Sequence, residues 1–374
     1  MRLRGMWFST FAVFLIIVLT GCFQGEQSLE EMDPPDDQEV VDGEDGKEND
    51  DETGDTDQEI AEEEDENDAP DEEDEAADES TQMVERQLFL LDKDGMVAPQ
   101  ILELPAQEDK EVATQALEYL VRGGPVTSLL PNGFQAVLPE GTEVLGLDLQ
   151  EDGTMVVDLS EEFTDYDADD ELKILQAMTY TLTQFDSVEQ IQLMINGEMQ
   201  EEMPVDGTPI GDGYSRANGI NILGIDTIDL VNSQAVTMYY PAVHNDNNYF
   251  VPVTQHVEMD DDDRYAAIVE TLIEGPGYNS NLLHVFNTHT LLTEKPELKD
   301  GVLELMFNDG ILKDTEESIV SDEVMETLVR TLTEWDEVDA VQVNVENVEQ
   351  VMNESGEVYE EPVTKQMFIP TEKM

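Results

Sequence analysis

The chain has few basic residues. Its 374 residues include 16 Lys and Arg against 90 Asp and Glu, which gives a formal net charge of -74 at pH 7. Because a surface that contacts phosphates needs clustered Lys and Arg, this composition excludes nucleic acid as a partner. A large charge of one sign keeps a chain soluble but strains its folded state through self-repulsion, which high ionic strength screens. The composition therefore predicts an acidic, halophilic protein from a salt-adapted organism.

Cysteine is nearly absent: Cys22 is the single cysteine, so an internal disulfide is excluded. Arg2, Arg4 and an apolar run from Met6 to Leu19 precede this cysteine, which is the order of an export signal. The apolar run is shorter than a typical membrane-spanning helix. The sequence Leu19-Thr20-Gly21-Cys22 matches the bacterial lipobox. We predict a lipoprotein signal peptide over residues 1–21, signal-peptidase cleavage between Gly21 and Cys22, and lipid attachment at Cys22. A plain signal peptide that happens to carry a cysteine is the alternative.

A second long apolar run is also lacking. No other stretch approaches the ~18 consecutive apolar residues of a membrane helix. Diacylglycerol on Cys22, with or without a further chain such as palmitate on the new amino group, supplies the hydrocarbon chains that stable anchoring requires. We therefore expect the mature protein to lie on the outer face of the bacterial cell membrane, attached through its first residue.

Large apolar residues are almost absent from residues 22–85, where Asp, Glu, Gly, Asn and Gln dominate and Lys47 is the lone basic side chain. Such a segment cannot bury enough apolar surface to offset the entropy of ordering itself, and its like charges repel. We predict an extended, disordered acidic tether. The acid runs suggest calcium, but an Asp-x-Asp-x-Asp-Gly loop with a following Glu is missing, so no specific calcium site is predicted.

Past the tether the chain repeats itself. The pattern Thr-Leu-Thr-x-x-Asp-x-Val begins at Thr181 and again at Thr331, and a Gln follows at the same spacing in both, at Gln192 and Gln342. An internal repeat is one supersecondary unit copied. We therefore predict a tandem duplication with a first domain over 86–205, a linker over 206–235, a second domain over 236–364 and a C-terminal tail over 365–374.

The first half of each domain has the pattern of a strand followed by a helix. Residues 87–91 and 237–240 are short β-prone runs. Apolar residues at helical spacing follow in both, preceded by Asp109 in the first domain and by Asp260 to Asp263 in the second, and ended by Gly and Pro. We interpret these acids as helix caps that complement the macrodipole, with metal ligation by the Asp run as the alternative.

The second half has the pattern of a hairpin, a helix and a strand. Residues 144–149 and 155–159 alternate apolar and polar positions around an Asp-Gly turn, and residues 303–307 repeat this alternation after Asp300-Gly301. The order β-α-β-β-α-β predicts an α+β sandwich with a small mixed sheet and helices on one face. The linker is apolar between Ile220 and Leu230, so we expect it to pack on one or both domains and fix their mutual orientation.

The usual catalytic signatures are lacking. The chain has no Gly-x-Ser-x-Gly elbow, no phosphate-binding Gly-rich loop and no thiol nucleophile apart from the predicted lipid site. Asp158 and Asp165 form a candidate carboxylate couple, but Met306 takes the place of Asp158 in the second domain. All histidines lie in the second domain without metal-ligand spacing: His244, His256, His284 and His289. We therefore predict no enzyme activity, no cofactor and no metal site.

Three short motifs carry a resemblance to a known family. They are Leu-Val-x-Gly-x-Pro at 120–125, Val-Val-Asp-Leu-Ser-x-x-Phe at 156–163 and Tyr-Thr-Leu-Thr-x-Phe-x-x-Val at 180–188, with counterparts of the first and third at 272–276 and 331–338. They resemble the GerMN domain, and two such domains behind a lipoprotein signal resemble the GerM-like family of sporulation and germination lipoproteins. The resemblance covers about residues 85–350. The second domain departs from it where Met306-Phe307-Asn308 replaces Asp-Leu-Ser.

The resemblance implies a fold similar to the ring-building modules of secretion machines, and a non-enzymatic role. Members of the family are made in the mother cell, cross its membrane to face the space between mother cell and forespore, and support assembly of the ring-forming channel complex that joins the two cells. The implied partners are therefore the membrane, through the lipid on Cys22, and proteins of that channel complex.

The sequence leaves two other classes of function open. A solute- or peptidoglycan-binding lipoprotein needs a cleft with convergent polar groups, which two like domains could form. A cell-wall hydrolase needs an acid of raised pKa beside a second carboxylate, and the duplicated positions offer no such pair.

Overall fold

The computed structural model describes residues 82–107, 111–222, 233–245, 247–259, 263–277 and 280–368. The predicted signal peptide, Cys22 and nearly all of the predicted tether lie outside the described residues, as do Asp109 and the residues from Asp260 to Asp262.

Each domain begins with an antiparallel hairpin. In the first domain β1 (Met83–Leu91) pairs with β2 (Val97–Pro105) along its whole length. Asp92 forms the turn: its Oδ1 accepts the backbone N–H groups of Asp94 and Met96 at 2.9 and 2.8 Å, and Gly95 supplies a φ of 75°. The local sequence thus closes the hairpin, and the core buries the second half of β1.

A mixed sheet and two helices complete the first domain. In chain order they are α1 (Val112–Glu118), β3 (Val144–Leu149), β4 (Thr154–Leu159), α2 (Glu171–Leu182), β5 (Gln190–Ile195), β6 (Glu198–Gln200) and β7 (Tyr214–Ser215). β3 is antiparallel to β4, β4 is parallel to β5, and β6 and β7 both pair with β5 in the antiparallel sense. Nearly all of α2 is buried, because it contacts both the hairpin and the sheet.

The second domain repeats this plan. Its elements are β8 (Ser233–His244), β9 (Asn247–Glu258), α3 (Arg264–Glu274), β10 (Glu297–Lys299), β11 (Val302–Phe307), α4 (Asp322–Leu332), β12 (Ala340–Val345) and β13 (Val363–Thr364). β8 and β9 form the hairpin, and the sheet order is β10-β11-β12-β13 with β11 parallel to β12. The predicted α+β architecture with two repeated domains is confirmed.

The structure contains strands that the sequence pattern did not predict. β2 and β9 are the second strands of the hairpins, and Pro99 and Pro252 interrupt their β-prone patterns. β7 and β13 have two residues each, too few for a periodic signal. β1 begins at Met83, inside the predicted tether, and β7 lies inside the predicted linker. Ordered structure therefore extends past the predicted boundaries, because the start of β1 pairs with the end of β2 and β7 pairs with β5.

One hydrophobic core runs through both domains. It includes Phe163, Phe185 and Phe307, each 0% exposed. Within the described ranges, no helix is long and apolar enough to cross a membrane.

Asp263 is the N-cap residue of α3, but its side chain makes no capping hydrogen bond. It pairs instead with Lys295 at 2.7 Å. Its backbone has φ -119° and ψ 14°, outside the extended region from which a cap side chain usually reaches the first turn. Asp263 thus occupies the position at the start of α3 that the capping interpretation gave it, but without a side-chain capping hydrogen bond.

Candidate functional site

Of the two carboxylates considered for catalysis, one has a structural partner. Asp158 lies on β4, and its Oδ1 accepts the backbone N–H of Gly197 at 2.9 Å, which fixes the turn between β5 and β6. Asp165 is exposed after a short 3-10 turn. The lipid-attachment and cleavage residues, Cys22 and Gly21, lie outside the described residues.

The four histidines stand at separate places in the second domain. The ring of His244 lies against Gly133, where an added Cβ would be 2.3 Å from its Cδ2, and His284 bonds the Ile273 carbonyl at 2.7 Å through Nε2. His289 bonds its neighbour Thr288 at 2.8 Å, and His256 lies on β9. No three His, Cys, Asp or Glu side chains come together as possible metal ligands within the described part of the chain.

The repeated Thr-Leu-Thr motif attaches the second helix of each domain to its hairpin. The hydroxyl of Thr181 accepts the backbone N–H of Phe89 at 3.1 Å, and the hydroxyl of Thr331 accepts that of Tyr239 at 3.0 Å. Both threonines are 0% exposed. The hydroxyl therefore satisfies a buried strand N–H that would otherwise lack a partner. This use explains why the motif recurs.

The ends of the two motifs meet in one cleft between the domains. The cleft has a volume of about 680 Å³. Each domain contributes the segment that follows its second helix, and the start of β8 and the residues after β7 complete the walls. The lining side chains include Thr183, Phe185, Asp186, Arg216, Ala235, Glu334, Trp335 and Asp336.

Arg216 and Glu334 in the wall of this cleft belong to an ionic cluster around Glu334, whose side chain is 13% exposed. Its Oε2 accepts from Arg216 Nη1 at 3.1 Å, and its Oε1 accepts from Lys365 Nζ at 2.7 Å and from the Tyr239 hydroxyl at 3.1 Å. Arg216 in turn donates through Nε to the Thr183 hydroxyl at 2.8 Å. The cluster therefore joins the end of the first domain to the segment that follows α4 in the second.

The electrostatics of the cluster are those of a closed ionic network. Burial alone would raise the pKa of Glu334, but the charges of Lys365 and Arg216 outweigh it and lower this pKa to about 2. Burial and the Glu334 charge together raise the pKa of the Tyr239 hydroxyl well above its ordinary value. Glu334 is therefore ionised and Tyr239 neutral at any physiological pH. Groups held so firmly in one protonation state suit structural pairing better than proton transfer.

Comparison with known proteins assigns the family. The profile of the Germane family, described as sporulation and spore germination, matches residues 87–201 and 237–351. This chain belongs to the Germane family. The matched ranges run from the middle of β1 to just past β6 and from the middle of β8 to six residues past β12, so β7 and β13 lie outside them.

Two relatives extend this assignment to the tandem arrangement. The Germane chain is 41% identical over 367 residues to the spore germination protein GerM of Bacillus subtilis (strain 168), covering 95% of this chain and 94% of the relative. The solved structure of the tandem GerMN domains of the sporulation protein GerM from Bacillus subtilis matches with a TM-score of 0.70 at 44% identity, covering 76% of this chain and 97% of that one. The predicted resemblance is confirmed, and a role in sporulation or germination is supported.

Sequence reasoning missed the ionic cluster of this Germane chain. Arg216 lay in the predicted linker and Lys365 in the predicted tail, yet each directly follows the short last strand of its domain, β7 or β13. They are therefore equivalent positions of the repeat. Glu334 stands where the first domain has Gln184. A basic residue at both equivalent positions of an otherwise acidic chain was the available signal.

A second junction lies between the hairpins. Asn221, with φ 45°, accepts the Val97 N–H at 2.9 Å and donates to the carbonyls of Val97 and Pro252 at 2.7 and 2.8 Å. Ile220 donates its N–H to the Thr254 hydroxyl at 2.8 Å. The start of the apolar linker segment thus packs on both domains as expected. The segment from residue 223 to 232 lies outside the described residues.

A second cleft, of about 490 Å³, lies where the hairpins meet the start of α4. It is acidic, and Glu326 in its wall pairs with Arg330 at 2.6 Å. Burial raises the pKa of Glu326 despite that pairing. The guanidinium carbon of Arg330 lies 5.1 Å from the Phe250 ring centroid, which further fixes this cation in place.

Proposed function

We propose that this protein is a non-enzymatic, membrane-anchored scaffold of spore formation and germination. In this proposal it supports assembly of the ring-forming channel complex between mother cell and forespore, and its partners are proteins of that complex. Membership of the Germane family and similarity to a spore germination protein support the cellular role. The lipid on Cys22 would hold the domains at the outer face of the mother-cell membrane, and the acidic segment would hold them away from its surface.

The junction between the domains is the observation that carries this proposal. The residues that the two copies share most closely, in the Thr-Leu-Thr motif, are used for internal packing and for the wall of the common cleft. Two domains joined by Glu334 and by Asn221 present their outer surfaces at one fixed spacing. A scaffold needs such a fixed pair of contact surfaces, whereas it needs no reactive group.

The proposal is tested in cells with two alleles at the native locus. One deletes residues 86–364 and keeps the anchor; the other carries Cys22→Ala in the full chain. Both are expected to reduce strongly the yield of spores that germinate, because the first lacks the contact surfaces and the second lacks the lipid. Crosslinking in sporulating wild-type cells should recover proteins of the channel complex. Normal spores from the deletion allele would refute the role, and normal spores from Cys22→Ala would refute the anchor.

The cleft between the domains supports a second candidate, an extracytoplasmic solute- or peptidoglycan-binding lipoprotein. Its volume of about 680 Å³ lies within the usual range of ligand sites, and both domains contribute polar groups. A ligand that binds the folded state raises the melting temperature. A melting shift with muropeptides that Ala235→Trp abolishes, by filling the cleft, would favour the receptor. The scaffold proposal expects no shift with either protein.

A further inference from the structure

The two sheets end differently at corresponding edges. In the first domain the end strand is β3, and in the second it is β10, each paired on one side with the following strand. Leu149 lies opposite Met155, and Leu298 lies opposite Leu303. Met155 and Leu303 are both the second residue of six-residue strands at matching places, so Leu149 and Leu298 are equivalent. The duplication therefore allows one edge to be compared with the other inside a single chain.

The edge strand in the second domain, β10, has sequence features that prevent pairing with a further strand. β10 has three residues, and Pro296, which has no N–H to donate, stands immediately before it. Lys299 is exposed and pairs with Glu297 at 2.6 Å and Glu304 at 3.2 Å. Short length, a lysine and a proline are the usual protections of an edge.

The edge strand in the first domain, β3, lacks these three features. β3 has six residues, and Leu147 stands at the position of Pro296. Leu145 is 49% exposed and Leu149 is 39% exposed. A Cβ added at Gly146 would meet no atom within 4 Å, so the outer face of the strand is also uncovered by the described residues.

The backbone of β3 presents hydrogen-bonding groups to this edge. Gln150 donates its N–H to Thr154 on the β4 side at 2.9 Å. Because backbone groups alternate in direction along an antiparallel strand, those of Asp148 also point to β4, while those of Leu147 and Leu149 point away from it. Among the described strands none pairs with β3 on that side. An extended strand is the structure that satisfies such a row of groups.

We propose that the free edge of β3 binds an extended segment of another protein, apolar and basic at alternate positions. This inference names a partner surface for the proposed scaffold and in that respect rests on it. Leu147 and Leu149 lie on the same face as Met155 and Val157, because they are their register partners, so apolar side chains of the added strand would meet them there. Asp148 lies on the opposite face, where basic side chains would pair with it.

Charge favours this partner over a second copy of the chain. Glu143, Asp148, Glu151 and Asp152 flank the edge and are all exposed. Two chains that each carry a formal charge of -74 would bring these acids together at a symmetric edge, and like charges facing each other across a pair of strands are destabilising.

The test uses the purified chain and a capped heptapeptide that alternates Lys and Val. The control peptide has the same charge but carries N-methyl groups on alternate amides, which prevents strand pairing. Binding is measured in about 0.5 M salt, which screens the general attraction of a cation for an acidic protein. We expect the unmodified peptide to bind at least about tenfold tighter than the control, since it forms several backbone hydrogen bonds more. Amide exchange at Leu147 and Leu149 is expected to slow by a similar factor.

Protein variants locate the site without changing the charge. Leu147→Pro copies the second domain and removes one outward N–H while keeping the bonds to β4, so peptide affinity should fall about tenfold. Leu149→Ala should weaken binding about fivefold, whereas the matched Leu298→Ala should leave it within about twofold.

Equal binding of both peptides, or protection at β10 instead of β3, would overturn the inference. A dimer with β3 amides already protected would assign the edge to a second copy and overturn it too. None of these measurements depends on spores, so a failure of the binding proposal can be distinguished from a failure of the proposed cellular role.

Discussion

Replacing Glu334 with Gln is expected to lower the free energy of unfolding by about 2 to 3 kcal/mol. The change removes the one negative charge that Arg216 and Lys365 share at 3.1 and 2.7 Å, and leaves two cations close together in a partly buried site. Removing one partner of a buried pair costs more than the pair itself contributes, because the remaining charge is desolvated without compensation. Urea unfolding at pH 7 measures the loss.

The same variant should change the dependence of stability on pH. The folded-state pKa of Glu334 is depressed to about 2 from an ordinary value of 4.5, so its contribution is fully present above the ordinary value. That contribution, about 3 kcal/mol, is lost as pH falls from about 4.5 to about 2. Wild type should therefore lose this stability over that interval, and Glu334→Gln should not.

Glu337→Gln is the matched control for this prediction. Glu337 lies three residues further along, pairs with Arg264 at 3.1 Å and is 43% exposed. An exposed pair contributes about 0 to 1 kcal/mol, so the control should unfold almost like wild type. If the two variants lose equal stability, the ionic cluster does not hold the junction together.

Thr181→Val and Thr331→Val are each expected to lower the free energy of unfolding by about 1 to 3 kcal/mol. Valine has nearly the shape of threonine, so packing is retained while the backbone N–H of Phe89 or Tyr239 loses its acceptor. A buried donor without a partner costs its full desolvation. Because the two sites lie in different domains and share no partner, the double variant should lose about the sum.

Serine and an exposed threonine provide the controls. Thr181→Ser and Thr331→Ser keep the hydroxyl acceptor and should recover most of the loss seen with valine. Thr127 is exposed and bonds a local carbonyl, so Thr127→Val should stay within about 0.5 kcal/mol of wild type. Valine variants no less stable than the serine variants would contradict the role assigned to the repeated motif.

Much of each domain follows from local sequence. The apolar alternation around Glu151-Asp152-Gly153 forms β3 and β4 as predicted, and the stripe that includes Leu175, Met178 and Leu182 forms α2. Such patterns predict the element correctly because a hairpin or a helix is specified by residues that are close in the chain.

Other elements carry no such signal. β2 and β9 contain prolines, and β7 and β13 are formed by two residues that pair with a strand already in place. Their structure depends on what lies beside them after folding. The same holds for Leu145, Leu147 and Leu149, which have the pattern of a partly buried strand in the sequence and are an exposed edge in the structure.

The sequence by itself determined that a unit of helices and strands occurs twice, and its motifs resemble those of a family of sporulation and germination proteins. Tertiary structure alone decided how the copies join. Arg216, Lys365 and Glu334 are far apart in the chain, and Asn221 joins strands from both hairpins. Ion pairs and hydrogen bonds across such separations leave no periodic trace, because they depend on which surfaces meet after each domain has packed.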